Sequence, residues 1–568
     1  MRNHLPAISA VLLVAGLAGA ALAAGKATNV SATRHNLSST GPGPIKVAGT
    51  ANVCEFCHTP HASNPIAPLW NRSDPGTYYE TYESSTLRAT VGQPTGSSRL
   101  CLSCHDGTIA LTQTFNPRSA LPGTIYISPE DRGYIGTDLT DDHPISFTFN
   151  EALVAKDPHL RSPSSLPPEL PLDPNRQLQC TTCHDPHDGT YGNFLRMDNR
   201  DSRMCTSCHN VDGWASSSHA ASAASLAPAT RDRWDNVPYT TVRQNGCENC
   251  HRPHSAQGRQ RLLRHQAEED NCFSCHDGTV ASKNVMAEFS RISTHPVRAR
   301  TGVHDPQEDP LTMQEHVECA DCHDAHQAAA GPAAQAPLVK PSIKGATGIT
   351  RSRREPEPAA FEYEVCYKCH SFRNPTRAVV VQRVLGDNNI AEEFSPVNLG
   401  YHPVEAQGKN VSVPSLFQPY LATTIIYCTD CHGSDAGAGG PQGPHGSQYT
   451  PMLKANYVTL DRTPESPEAY ALCYGCHNRD SIIHDQSFPK HHKHIQDKKT
   501  PCSVCHDAHG VRENAHLINF DRDVVLPSPG APAAGKDPGP SYQSTGLRRG
   551  SCTLLCHDKD HVDKHYAP

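Results

Sequence analysis

Twelve cysteine pairs, each followed at once by a histidine, constrain this 568-residue chain more than any other feature. Eleven read Cys-x-x-Cys-His: Cys54, Cys57, His58; Cys101, Cys104, His105; Cys180, Cys183, His184; Cys205, Cys208, His209; Cys247, Cys250, His251; Cys272, Cys275, His276; Cys319, Cys322, His323; Cys366, Cys369, His370; Cys428, Cys431, His432; Cys473, Cys476, His477; Cys502, Cys505, His506. The twelfth, Cys552, Cys556, His557, has one extra residue between its cysteines. The set uses all 24 cysteines.

Zinc would need two such half-sites per ion and no histidine fixed after each. Disulfides in an exported chain would leave the twelve histidines unexplained. A redox Cys-x-x-Cys is normally single. The pattern is instead the attachment signature of haem c, with two thioethers on one porphyrin edge and the adjoining histidine as proximal iron ligand. It predicts about twelve covalently bound haems. So little chain per macrocycle, about 45 residues, means that cofactor must replace aliphatic core. The composition agrees, being 36% hydrophobic with 48 Pro and 39 Gly.

The other histidines are the candidate distal ligands. His61, His187, His254, His326 and His509 extend five sites to Cys-x-x-Cys-His-x-x-His. Three residues cannot carry the chain around a porphyrin edge, so each of these is expected to cap the iron of a different haem. His143, His295 and His402 precede proline, which favours extended backbone. His445 lies in a glycine-rich loop able to approach a macrocycle. His35, His219, His491, His494 and His561 complete the candidates. Beyond Met1, only Met197, Met204, Met286, Met313 and Met452 are present. Most irons are therefore expected to be bis-His, low-potential centres, since methionine would raise the potential.

Residues 1–23 read as a signal peptide, with Arg2, an apolar stretch from Ile8 to Leu22 and a small-x-small site ending at Ala23. No later segment is apolar enough to span a membrane. The expectation is a chain exported to the periplasm, cell surface or exterior. The sites fall into six couples by sequence proximity. They divide the chain into 24–165 (sites at Cys54 and Cys101), 166–300 (couples two and three), 301–405 (couple four) and 406–568 (couples five and six). Neither long amphipathic helices nor strong strand alternation appear. The fold class expected is mostly irregular coil with short α-helices, elongated and organised around a stacked haem array.

The chain resembles the multihaem cytochromes c with doubled CXXCH motifs found in metal-respiring bacteria. The resemblance rests on HNLS at His35, CEFCHTPH at Cys54, PLW at Pro68, SRLCLSCHDGT at Ser98 and DDHPISF at Asp141. Towards the C-terminus it rests on CTDCHGSD at Cys428, GPHGS at Gly443, PCSVCHDAHG at Pro501, HLINF at His516 and GSCTLLCH at Gly550. It implies an electron carrier with bis-His haems in a continuous array, and no catalytic residues. Its partners would be other cytochromes or mineral and metal acceptors. Two alternatives stand beside it. One is a multihaem reductase of nitrite, hydroxylamine or sulfur oxyanions, which needs an open iron. The other is a subunit of a conductive filament or surface assembly, with homo-oligomerisation. The net charge of −8, made more negative by haem propionates, argues against nucleic acid.

Overall fold

The computed structural model describes residues 29–116, 121–226, 239–298, 304–305, 308–309, 312, 316–332, 334–355, 358–372, 379–386, 389–410 and 412–568. The leader read at 1–23 and Met313 lie outside the described residues. The chain forms two units. One comprises Met1–Ser73, Leu111–Ile125 and Cys183–Met197; the other comprises Asp74–Ala110, Tyr126–Thr182 and Asp198–Pro568.

The fold is mostly coil, with short helices and very small sheets. Among the described residues the longest helices, Gly96–His105, Glu268–His276 and Glu362–His370, each end on the proximal histidine of an even-numbered site. Odd-numbered sites use a single turn, as at Cys180–Cys183, Cys428–Cys431 and Cys502–Cys505. Acidic side chains start several of these turns by accepting from the backbone N–H three residues earlier. Glu364 accepts from Phe361 at 3.1 Å, Asp321 from Glu318 at 2.7 Å and Asp430 from Tyr427 at 2.9 Å. Each satisfies a donor that a helix start leaves orphaned. One helical turn places both cysteines and the histidine on adjoining faces, as thioether attachment requires.

Aliphatic packing is scattered. The larger clusters are Phe147, Phe149, Leu153 and Leu178; Tyr367, Ile390, Ala391, Phe394 and Val404; and Val504, Phe520, Val525 and Leu554. None is a core of the size expected for a chain this long, which leaves room for another apolar component.

Two-residue ladders do positional work. Ser293–Thr294 pairs with Gly446–Ser447, and Gly400–Tyr401 with Gly510–Val511. The first sets His295 beside His445 and the second sets His402 beside His509. His402 N–H donates to the His509 carbonyl at 2.9 Å.

The twelfth site departs from the rest. Cys552 and Cys556 lie in a strand, Arg549–Cys556, between Ser541–Gly546 and Lys559–Tyr566 in an antiparallel sheet. Cys552 faces Tyr542 and Lys564, and Cys556 faces Lys559. The extra residue, and two hairpins of alternating side chains, favour a strand instead.

Candidate haem-binding site

All 24 cysteines are free of disulfides. Their positions relative to one another follow a rule. The first cysteines of successive sites share hydrogen bonds: Cys101 with Cys180, Cys205 with Cys247, Cys272 with Cys319, Cys366 with Cys428, and Cys473 with Cys502. Second cysteines meet across the intervening boundaries. Cys250 and Cys275, Cys322 and Cys369, Cys431 and Cys476, and Cys505 and Cys556 are close enough for their charges to interact. From site five to site eleven, each motif is hydrogen-bonded to one neighbour through its first cysteine and lies near the other through its second. The second set falls inside the couples read from sequence, and the first set links those couples together.

The imidazoles form a second regularity. Eight proximal histidines each face one other imidazole with ring centroids 6.0–6.3 Å apart: His58 with His187, His209 with His143, His251 with His326, His276 with His219, His323 with His445, His370 with His295, His432 with His509, and His506 with His491. A metal ion held at about 2 Å by a nitrogen of each ring requires centroids about 6 Å apart. The gap between each pair therefore fits one iron, and rings in van der Waals contact would be closer. Among the titratable neighbours that depress His477, His402 acts most strongly after burial itself.

Tethers on the opposite ring nitrogen orient these ligands. Nδ1 of His105 pairs with Gly133 O at 2.6 Å, His184 with Asn193 O at 2.9 Å, His251 with Arg261 O at 2.8 Å, His323 with Ser342 O at 2.9 Å, His432 with Pro451 O at 3.0 Å and His506 with His516 O at 2.9 Å. His477 uses the Ser415 hydroxyl at 2.9 Å. Such a partner fixes the tautomer and leaves Nε2 as the ligand atom. Burial keeps the imidazoles uncharged, as ligation demands. It pushes His209, His251, His445, His477 and His506 down to about 4, and His491 to about 3.

A strained triplet builds four of these tethers. In Asn193-Phe194-Leu195, Arg261-Leu262-Leu263, Pro451-Met452-Leu453 and His516-Leu517-Ile518, the first residue offers the carbonyl. The third forms a backbone bridge to the proximal histidine. The middle residue takes φ of +59°, +53°, +52° and +61° respectively. Bulky residues there cost on the order of 1 kcal/mol or more each, and the ligand geometry they hold is what offsets it.

The distal candidates divide into two groups. His187, His326 and His509, from doubled motifs, each face the proximal histidine two sites earlier in the chain. His445 does the same from a loop after site nine. Ring planes lie nearly parallel for His187, His326 and His445, at 15°, 9° and 16°, and are tilted by 36° for His509. His143, His219, His295 and His491 are crossed instead, at 76°, 87°, 50° and 54°. Three members of the preceding segments bond the carbonyl just before a distal histidine of the first kind: His219 on Ala325 O at 2.8 Å, His295 on Pro444 O at 2.8 Å and His402 on Ala508 O at 2.5 Å. His35 does likewise on Pro186 O at 3.0 Å. His254 Nδ1 pairs with Asp142 Oδ1 at 2.9 Å.

Two positions differ from expectation. His61 is exposed and faces no imidazole among the described residues. Its motif is the first, so no site lies two positions earlier. His557 has its Nε2 on both Asp461 carboxylate oxygens, at 3.0 and 2.8 Å. In an extended strand, cysteines four apart are separated by about 13 Å of rise, against about 5–6 Å within a helical turn. The eleven regular sites fit haem c; the twelfth, as folded here, does not present both sulfurs to one porphyrin edge. His494 and His561 lie near it, each lowered chiefly by burial, with His557 acting on His494 and His494 on His561.

Met197, Met204, Met286 and Met452 are not needed at any of the eight facing pairs. Among the described residues no helix is long and apolar enough to cross a membrane. No curated protein matches the chain. The family model for the doubled CXXCH motif matches residues 173–213 and 240–281. These matches, with the same motif recurring along the chain, indicate a multihaem c-type cytochrome that binds haem covalently and transfers electrons.

Proposed function

We propose that this protein is an exported electron carrier that conducts through about twelve haems, most of them bis-His, in periplasmic or extracellular respiratory electron transfer. The observation that carries the reading is the run of neighbouring cysteines from site four to site twelve. Thioether sulfurs lie at porphyrin edges, so adjacent sulfurs mean adjacent edges, and electrons hop between close edges. The facing imidazoles supply the second support: an iron capped on both sides offers no position to a substrate. The bound haems supply reversible one-electron chemistry; the chain orders them, caps them and excludes water.

Eleven sites hold haem in the regular way. The Cys552 site is read as the twelfth, loaded after local departure from its strand. External metal oxides, or partner cytochromes, are the proposed acceptors. The protein is not proposed to be an enzyme. The test is to reduce the purified protein fully and mix it separately with ferric chelate, nitrite, hydroxylamine and sulfite. Complete reoxidation by the ferric chelate, without sustained turnover of the other three, is expected. Sustained turnover of any of those three would replace this reading with a reductase.

One observation favours a second reading, a conductive filament or surface-assembly subunit. His61 is an exposed imidazole in the frame of an axial ligand, and it faces no other imidazole among the described residues. Electron micrographs of the purified protein distinguish filaments from monomers.

A further inference from the structure

Among the described residues, one cluster of ligating side chains outside the haem sites has the chemistry of a metal site. His304, Glu308, His316 and Asp321 bring one donor atom each to within 4.8 Å of all the others. His304 Nδ1 lies 3.1 Å from Glu308 Oε1 and 3.5 Å from Asp321 Oδ1, and His316 Nε2 lies 3.0 Å from Glu308 Oε1. A tetrahedral ion bound at about 2.0 Å sets its donors about 3.3 Å apart. Three edges of the required tetrahedron are thus already formed.

A second observation points to a ligand. Asp321 is 3% exposed, and its Oδ1, which faces the cluster, has no hydrogen-bond partner. Its other oxygen is used by the Glu318 N–H. Lys368 Nζ stands 3.8 Å from that Oδ1 but spends its donors on the Asp321 carbonyl and the Thr347 hydroxyl, at 2.6 and 3.0 Å. His304 Nδ1 and Glu318 Oε2 are also buried without hydrogen-bond partners, and they lie 3.9 Å apart. A buried carboxylate oxygen left without a hydrogen bond is costly, and a cation removes that cost.

The scaffold is prepared from both sides. The Glu268 carboxylate accepts from His304 N–H at 3.0 Å and from Ala320 N–H at 2.8 Å, so one side chain holds the loop against the turn of site seven. Arg261 donates to the His304 carbonyl. We propose that His304, Glu308, His316 and Asp321 bind one divalent transition-metal ion of the zinc class, clipping the loop before site seven to its Cys319–Cys322 turn. Two imidazoles with two carboxylates suit zinc and its first-row neighbours better than calcium or magnesium, which take oxygen ligands.

The experiment uses the haem-loaded protein. It is stripped with chelator, equilibrated with zinc sulfate and desalted, and zinc and iron are measured together by plasma mass spectrometry. One retained zinc per chain is expected, falling at least tenfold in occupancy in His304→Ala/His316→Ala with iron per chain unchanged. Should that variant fail to fold, Glu308→Gln is measured instead. In the unmodified protein, zinc should slow amide exchange across 316–322. No zinc retained above the desalting background, or equal zinc in protein and folded variant, overturns the site. Unchanged exchange on adding zinc overturns the clip.

Discussion

At the level of single residues, ligand identity is set by which nitrogen is left free. Backbone carbonyls occupy Nδ1 of six proximal histidines, so Nε2 is the atom presented to the gap. His557 inverts this by committing Nε2 to Asp461. His187 gives the sharpest residue-scale prediction. It belongs to the motif of Cys180 and Cys183 but faces His58 at 6.2 Å. Replacing it by methionine should raise the potential of the haem on Cys54 and Cys57, by on the order of 0.1 V within the roughly 0.8 V that axial ligands command. Haem count should not change. Spectroelectrochemical titration resolves the shifted centre. A shift confined to the haem on Cys180 and Cys183 would mean that the doubled motif caps its own iron. The candidate attachment motifs are legible in the sequence, because thioether chemistry fixes their spacing locally; the strand that carries Cys552 and Cys556 is not. His304 and His316 were not: they recur in no frame, and only folding places them beside Asp321.

Among elements, the direction from which a site is capped goes with ligand orientation: a histidine from further along the chain lies closer to parallel, one from a preceding segment more nearly crossed. Sites one, five, seven and nine face a histidine from further along the chain, with ring planes 9–36° apart; site eleven, though odd, faces the preceding His491 at 54°. Even sites four, six and eight are capped by preceding segments, with crossed rings. Ring orientation splits the iron d orbitals differently, so low-temperature electron paramagnetic resonance of the oxidised protein should show two low-spin families. Parallel pairs give rhombic signals; crossed pairs give signals with a single dominant low-field feature. Comparable intensities of the two are expected. A single family accounting for nearly all the irons would contradict this division. Three residues are too few to round a porphyrin, so the sequence pointed the doubled-motif histidines towards another site, and His187, His326 and His509 do face the proximal histidine of another motif. It did not disclose which haem. His143 and His209, or His295 and His370, are far apart in the chain, and only the tethers and two-residue ladders reveal their partners. The strand at Cys552 was likewise hidden: the attachment motif suggested a helical turn, while the alternating residues around it, across two hairpins, decided for a sheet.

For the molecule as a whole, the proposed haems would supply the apolar interior that the small aliphatic clusters do not. Small aliphatic clusters lie between sites that touch through cysteines, so haem loading and folding should be coupled. The net charge of −8 becomes more negative once propionates are added, since carboxylates of ordinary pKa are ionised at neutral pH. Electron exchange with a small cationic donor should therefore slow as salt rises, several-fold between low and physiological ionic strength. Stopped-flow rates measured across a salt series check this, and a flat or rising dependence would argue against electrostatic docking. The central claim is that both faces of each iron at the regular sites are capped by imidazole. Near-infrared magnetic circular dichroism of the oxidised, haem-quantified protein tests it most directly, because bis-imidazole, imidazole–thioether and high-spin ferric haems give separate bands. Bis-imidazole intensity equivalent to at least ten haems per chain is the predicted result. Thioether-ligated or high-spin intensity amounting to several haems per chain would contradict it.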